Sequence, residues 1–369
     1  MFYKVIPNGK EYLDTDGRHI QAHGGQIQRM SFFDEGSGQT ICKWIWVGED
    51  KTNGAHGGIR AYSSEDLLNW KSEGIIMRNI EAREDLDTNP YFTKLYVGKS
   101  AEELDHIFEC INATSAIIER PKLLYNKKTS KYVLWFHADG PTKDSASSYA
   151  AASAGVAISD SPFGPFKFID RYRLNTCPDD QEDLFPKSKG MARDMNLFVD
   201  DDGCAYIIYS SEENLTLYIS KLNDEYTYLS KEPATAVYGT DFIRLFPGAQ
   251  REAPAMFKRN NKYYLITSGC TGWAPNQARY YMADSVMGEW ENMGDPCIFD
   301  FNHTTFESQS TCVFNACIDG MGNERYIYLG DRWNSKKLSE SSYLFLDIRF
   351  MDDNSIKIAY QERGLADGT

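Results

Sequence analysis

The stretch Arg251-Glu252-Ala253-Pro254-Ala255-Met256-Phe257, the polar turn Lys258-Arg259-Asn260-Asn261 and the run Lys262-Tyr263-Tyr264-Leu265-Ile266 decide the fold. Two short aromatic and apolar runs bounded by Asn and charged residues read as paired antiparallel strands. The same order returns three more times. Ile118-Glu119-Arg120-Pro121 leads into Lys122-Leu123-Leu124-Tyr125, a polar turn and residues 131–137; Arg193-Asp194-Met195-Asn196 leads through Leu197-Phe198-Val199 and Asp200-Asp201-Asp202-Gly203 into residues 205–209. Glu307-Ser308-Gln309-Ser310 leads into residues 311–314, a Gly-rich turn through Gly320 and Gly322, and residues 325–329. Each copy is a hairpin headed by a polar residue.

A third strand follows in most copies and ends in its own recurrent tail. Examples are Ile59-Arg60-Ala61-Tyr62-Ser63-Ser64 running on to Trp70, Gly155-Val156-Ala157-Ile158-Ser159-Asp160 running on to Phe166, and Tyr280-Tyr281-Met282-Ala283-Asp284-Ser285 running on to Trp290. In all three a strand stops at Ser or Asp and a turn delivers an aromatic residue to cap the sheet. A first copy, with His19-Ile20-Gln21-Ala22-His23-Gly24-Gly25 and then residues 40–50, brings the count to five. Internal repeats of several strands, without helical periodicity, predict an all-β chain folded as a five-bladed β-propeller. The blades fall at roughly 18–72, 115–170, 190–228, 250–292 and 306–362, in one catalytic domain over 1–369. At roughly 74 residues per blade, against ~40–50 for propeller repeats with short loops, the surplus goes to loops at 79–113, 138–150, 173–191 and 228–249. An irregular β-sandwich would not predict the recurrent tails.

A net charge of −14 and a pI near 5.0 argue against nucleic acid or an anionic membrane as partners. No apolar run is long enough to span a bilayer, and the first residues lack the apolar core of a signal peptide. The reading is a cytoplasmic protein, or a secreted one whose leader has been removed. Eight cysteines are scattered, at 42, 110, 177, 204, 270, 297, 312 and 317, without Cys-x-x-Cys pairs or zinc spacing. Several lie in strand patterns, Cys42 and Cys312 among them, where a buried reduced thiol is the commoner role. The aromatic content of 14% suits strands and also suits sugar binding, where a ring face stacks on a pyranose. Asp200-Asp201-Asp202-Gly203 has the look of a calcium cluster, but its place in a hairpin makes it a solvated turn.

In a propeller the innermost strands converge on one funnel, so Glu119, Asp194, Glu252 and Gln309 are expected to share a pocket. Crowded carboxylates cannot all ionise freely, and one is expected to hold a proton near neutral pH. A protonated carboxyl beside an ionised one is what glycosidic bond cleavage requires.

The chain resembles the five-bladed propeller glycosidases of glycoside hydrolase family 43, and within them the exo-β-1,3-galactanase subfamily. The resemblance runs from about Ile20 to Trp333. It rests on Ile20-Gln21-Ala22-His23-Gly24, Gly48-Glu49-Asp50-Lys51, Glu119-Arg120-Pro121-Lys122 with Trp135-Phe136-His137, Arg193-Asp194, Glu252-Ala253-Pro254, Gly272-Trp273-Ala274-Pro275-Asn276, Ser308-Gln309 and Gly330-Asp331-Arg332-Trp333. It implies an inverting hydrolase that releases galactose from the non-reducing end of β-1,3-galactan, the arabinogalactan backbone. By the same resemblance Glu252 is the general acid and Asp194 its tuning partner. The family's first-blade Asp is missing from Gln21-Ala22-His23-Gly24-Gly25; by the resemblance Gln309 positions the water, and either Gln309 through an unusual tautomer or Glu119 indirectly takes its proton. Glu49, Tyr149, Thr271 and Trp273 are the implied galactose contacts, Trp273 as a stacking platform. Neither a metal nor an organic cofactor is called for. The rival readings are an α-L-arabinofuranosidase or β-xylosidase on the same scaffold, and a non-catalytic sugar-binding propeller. No stretch after the fifth blade is left for a carbohydrate-binding domain, so weak retention on insoluble polysaccharide is expected.

Overall fold

The computed structural model describes residues 2–316 and 324–366. Five sheets of antiparallel strands are arranged as a β-propeller. Blade 1 runs outward through His23–Asp34, Gln39–Glu49, Ile59–Ser64 and Lys71–Met77; blade 2 through Ile117–Asn126, Lys131–Asp139, Ser153–Ser159 and Lys167–Tyr172. Blade 3 comprises Arg193–Val199, Ala205–Ser211, Thr216–Lys221 and Phe242–Leu245, and blade 4 Arg251–Arg259, Lys262–Gly269, Arg279–Ala283 and Glu291–Gly294. Blade 5 comprises Gln309–Asn315, Tyr326–Arg332, Ser342–Phe350 and Ile356–Ala359, with Cys297–Ile298 added in parallel at its outer edge. The five innermost strands pack side by side in chain order, and the fifth returns to the first, which closes the ring. Val5–Pro7 pairs antiparallel with Arg363–Ala366 beside that closure.

A blade alone is a twisted sheet with both faces apolar, so stability comes from burying each face against its neighbour. The described residues form five apolar clusters, one at each interface between adjacent blades. Between blades 5 and 1 the fully buried Trp46 stands edge-on to Trp70 and Tyr343, with ring centroids 5.3 and 4.7 Å away. The capping aromatics of the tails, Trp70, Phe166 and Trp290, are all buried.

The structure departs from the sequence reading in three places. Residues 79–113 carry helices at Asp85–Thr88, Pro90–Leu95 and Ala101–Ile111. Ser100 and Glu103 form a reciprocal capping box at the start of the third, and its buried face of Leu104, Ile107, Cys110 and Ile111 packs on the cluster between blades 1 and 2. Blade 3 finds its fourth strand, Phe242–Leu245, within the stretch read as a loop. Cys42 is exposed rather than buried, because it lies in the first five residues of its strand, which are exposed or half-buried; Cys312 is buried as expected. The seven described cysteines are free thiols, while Cys317 and the turn through Gly320 and Gly322 lie outside the described residues.

Candidate active site

The innermost strands share an irregularity at the end that faces the pocket. In blades 1 to 4 the pairing slips by one residue just after His23, Glu119, Arg193 and Glu252, and the next residue, Gly24, Arg120, Asp194 or Ala253, takes a left-handed backbone with φ of 58°, 53°, 37° and 51°. Such a bulge re-aims the chain, so two consecutive residues can reach the same side. Three of the four are not glycine, a backbone cost of about 1–3 kcal/mol each that persists at sites held by their surroundings. The register also shows that Asp194 corresponds to Arg120, one step beyond Glu119 and Glu252. The position matching those two carboxylates in blade 3 is held by Arg193.

The bulges bring Glu119, Arg120, Arg193, Asp194 and Glu252 to a cavity of ≈ 380 Å³ that Gln309 also lines. Burial raises the Glu252 carboxyl to about 8, and the nearby Asp194 charge adds to the effect; Arg120 and Gln309 oppose it. Gln309 Nε2 donates to Glu252 Oε1 at 3.0 Å and to Ser268 Oγ at 3.1 Å, and Asn214 Nδ2 donates to Glu252 Oε2 at 3.3 Å. Gln309 Oε1 accepts from Arg120 Nη2 and, at 2.9 Å, from Trp333 Nε1. Arginine and indole only donate, so the amide can face only one way.

Glu119 has the opposite setting. Burial works against its charge, but Lys51, His137 and Arg120 outweigh it and hold the carboxyl down to about 2. Lys51 Nζ stands 3.6 Å from Glu119 Oε1, contacts Glu49 Oε2, and lies 5.5 Å above the Trp273 ring. His137, opposite Glu119 on the neighbouring strand, has Nδ1 3.4 Å from Glu119 Oε2 and Nε2 2.9 Å from Asp139 Oδ2. Burial lowers the imidazole, yet the two carboxylates together raise it to about 9, so it is an imidazolium at neutral pH. Among the carboxyls that line the pocket, Glu252 therefore keeps its proton at neutral pH and Glu119 does not.

Arg120 is the hub of this network. Its backbone N–H donates to Glu49 Oε1 at 2.8 Å, its Nη1 to the Ser310 carbonyl at 2.8 Å, and its Nε lies 3.5 Å from Asp194 Oδ2. Across the pocket, Glu212, Glu213 and Asn214 form three successive left-handed residues, with φ of 51°, 56° and 63°. The buried Glu212 carboxylate holds this turn: it accepts from Arg244 Nε and Nη2 at 2.9 and 2.8 Å, from Tyr218 OH at 2.6 Å and from Thr216 Oγ1 at 2.9 Å. That clamp delivers Asn214 to Glu252.

Of the implied sugar contacts, Glu49, Tyr149 and Trp273 line the cavity. Trp273 is 38% exposed and meets Trp333 edge-on at 4.7 Å, leaving ring surface open to the pocket. Thr271 is not on the wall; its hydroxyl donates to the Ala274 carbonyl and accepts from Asn276 Nδ2 inside the loop that carries Trp273. The sequence reading gave no role to Arg120, His137, Arg193, Asn214 or Trp333. All but Asn214 stand inside the motifs that carry the family resemblance, which was the available signal. The run Asp200-Asp201-Asp202-Gly203 is the turn that was expected, with Asp200 and Asp201 paired to Lys258.

The sequence profile of glycosyl hydrolases family 43 matches residues 121–332. The chain belongs to glycosyl hydrolase family 43. It is a glycosidase of that family, and solved structures agree. A family 43 β-1,3-galactosidase solved with galactodeoxynojirimycin is 37% identical, with 97% of this chain and 99% of that one covered and a TM-score of 0.75. An exo-β-1,3-galactanase variant from Phanerochaete chrysosporium, solved with β-1,3-galactotriose, is 28% identical over all of this chain and 70% of that one, with a TM-score of 0.74. An exo-β-1,3-galactanase from Clostridium thermocellum is 31% identical over 98% of this family 43 chain and 66% of its own, with a TM-score of 0.72. A search of curated protein sequences found no match.

Proposed function

We propose that this family 43 enzyme releases galactose from the non-reducing end of β-1,3-galactan with inversion. The observation that carries the reading is the opposed pair of carboxyls, Glu252 raised to about 8 and Glu119 held at about 2, in one cavity. The similarity to two exo-β-1,3-galactanases and a β-1,3-galactosidase supplies the sugar and the linkage. Glu252 protonates the glycosidic oxygen while water attacks the anomeric carbon from the opposite face. Asp194 keeps the Glu252 proton in place through its charge and binds sugar hydroxyls. Glu49, Tyr149 and Trp273 hold the galactose ring, with Trp273 stacking on its apolar face.

Gln309 is a positioning group that remains an amide. Among the described residues its Oε1 is met by two donors and no acceptor, so an O–H at that atom, as the imidic acid tautomer requires, would point at other protons. Glu119, ionised over the whole neutral range, is left as the group that takes up the proton of the attacking water. His137 stands between Glu119 and Asp139, with Nδ1 3.4 Å from Glu119 Oε2, and is placed to share the proton that Glu119 takes up. The test is incubation of the protein with β-1,3-galactan, arabinan and xylan. Galactose from the first and no pentose from the others is the expected result; pentose release alone would replace this reading with an arabinofuranosidase or xylosidase.

The pH profile follows from the same two groups. The free enzyme needs Glu252 protonated and Glu119 ionised, so kcat/KM is expected to stay level across neutral pH and to fall above about pH 8. Stability should weaken on the same side. Glu252 and His137 both have folded values above their unfolded ones, so what their protons contribute is complete at low pH and is lost as pH rises through about 8 and 9. A kcat/KM profile that is level to pH 10 would remove Glu252 from the acid role.

A further inference from the structure

We propose that His106, Cys110 and Asp170 form a zinc-binding staple outside the active-site cavity, fastening the helix Ala101–Ile111 to the outer strand of blade 2. None of the three lines that cavity. His106 and Cys110 are four residues apart on the helix, so their side chains share a face. Asp170 lies on Lys167–Tyr172 and meets that face. His106 Nε2 is 2.8 Å from Asp170 Oδ1 and 3.6 Å from Cys110 Sγ, and the three ligand atoms all lie within 4.8 Å of one another.

Bond lengths to zinc of about 2.0–2.1 Å for nitrogen, 2.0–2.2 Å for oxygen and 2.3 Å for sulfur place tetrahedral ligands roughly 3.3–3.7 Å apart. The nitrogen-to-sulfur separation already fits. The nitrogen-to-oxygen pair has to open by roughly half an ångström to reach the zinc spacing, as the proton between them gives way to the ion. Imidazole, thiolate and carboxylate together suit zinc better than the hard cations calcium and magnesium, which take oxygen ligands. Two ligand charges neutralise the ion. The guanidinium of Arg171 is near, but it is held by Glu109 Oε1 at 2.9 Å, which cancels its charge. Cys110 is buried while His106 and Asp170 face solvent, so water can complete the fourth position on the open side. The Cys110 thiol releases its proton to solvent as the sulfur binds the ion.

The consequence is mechanical. The helix is part of an insertion between blades 1 and 2, anchored by one apolar face; a metal bridge ties it to the blade across which it lies. The experiment is titration of cobalt(II), then zinc, into chelator-treated full-length protein. One equivalent of cobalt should give a thiolate-to-cobalt charge-transfer band that zinc abolishes, and zinc should raise Tm by several degrees. His106→Ala, a change at a half-exposed side chain, should lose both signals and keep glycosidase activity, and Asp170→Asn should weaken them. Absence of a band in the wild type, or a band that survives both His106→Ala and Cys110→Ser, overturns the proposal. The first outcome leaves His106 and Asp170 as a surface ion pair, and the second assigns the cobalt to another thiol.

Discussion

Glu252→Gln is expected to lower kcat on β-1,3-galactan by about 10²- to 10⁴-fold, the usual contribution of a positioned general acid. The amide keeps the size of the carboxyl and cannot supply a proton. It can accept from only one of its two donors, Gln309 Nε2 and Asn214 Nδ2, which costs about 1 kcal/mol of local hydrogen bonding. Folding should therefore survive, as circular dichroism and the melting temperature would report. An aryl galactoside whose leaving group needs no proton separates the acid role from general damage: the variant should hydrolyse it far better, relative to wild type, than it hydrolyses galactan. Full activity on galactan would show that another residue donates the proton.

Arg120→Met is expected to be the most damaging substitution for the fold and nearly as damaging for activity. Arg120 is 5% exposed and joins three blades, reaching Gln309 and the Ser310 carbonyl in blade 5 and Asp194 in blade 3. Removing one partner from a buried charged network leaves the others uncompensated, typically about 3–5 kcal/mol. The urea midpoint measures it. The guanidinium also lowers the Glu252 carboxyl, so its loss should shift the alkaline limb of kcat/KM to higher pH in whatever folded fraction remains. A change in stability below about 1 kcal/mol would mean that the hub is solvated and contributes little.

The propeller was legible because its signal repeats. Hairpin pairs such as 122–125 with 131–137 and 255–257 with 262–266 announce themselves by composition, and the capping aromatics Trp70, Phe166 and Trp290 give each blade an end. The site was legible wherever a polar residue opened an inner strand, which is why Glu119, Asp194, Glu252 and Gln309 stand together on the wall. What the linear pattern hides is the register. The bulges at Arg120 and Asp194 shift the pairing by one, and no periodicity marks a residue as left-handed. The role of His137 was hidden for a different reason: its strand is buried throughout after Lys131, so burial does not single it out, and only the strand pairing sets it opposite Glu119. The Glu212 clamp depends on Arg244, 32 residues away, beyond any local signal. The helix Ala101–Ile111, by contrast, carried its capping box and apolar spacing openly in a stretch read as loop.

Lys122 is wholly buried in the innermost strand of blade 2, where its Nζ donates to the Gly24 carbonyl of blade 1 at 2.6 Å and lies 3.4 Å from the carbonyls of Arg120 and Pro121. Burial, with the Arg120 charge beside it, lowers the amine to about 7, so its charge follows pH while its place does not. The donor is present once per molecule at any dilution, and a chelator that would strip a dissociable ion from such carbonyls has nothing to remove. The junction of the first two blades thus draws on a donor whose supply was fixed when the chain was synthesised.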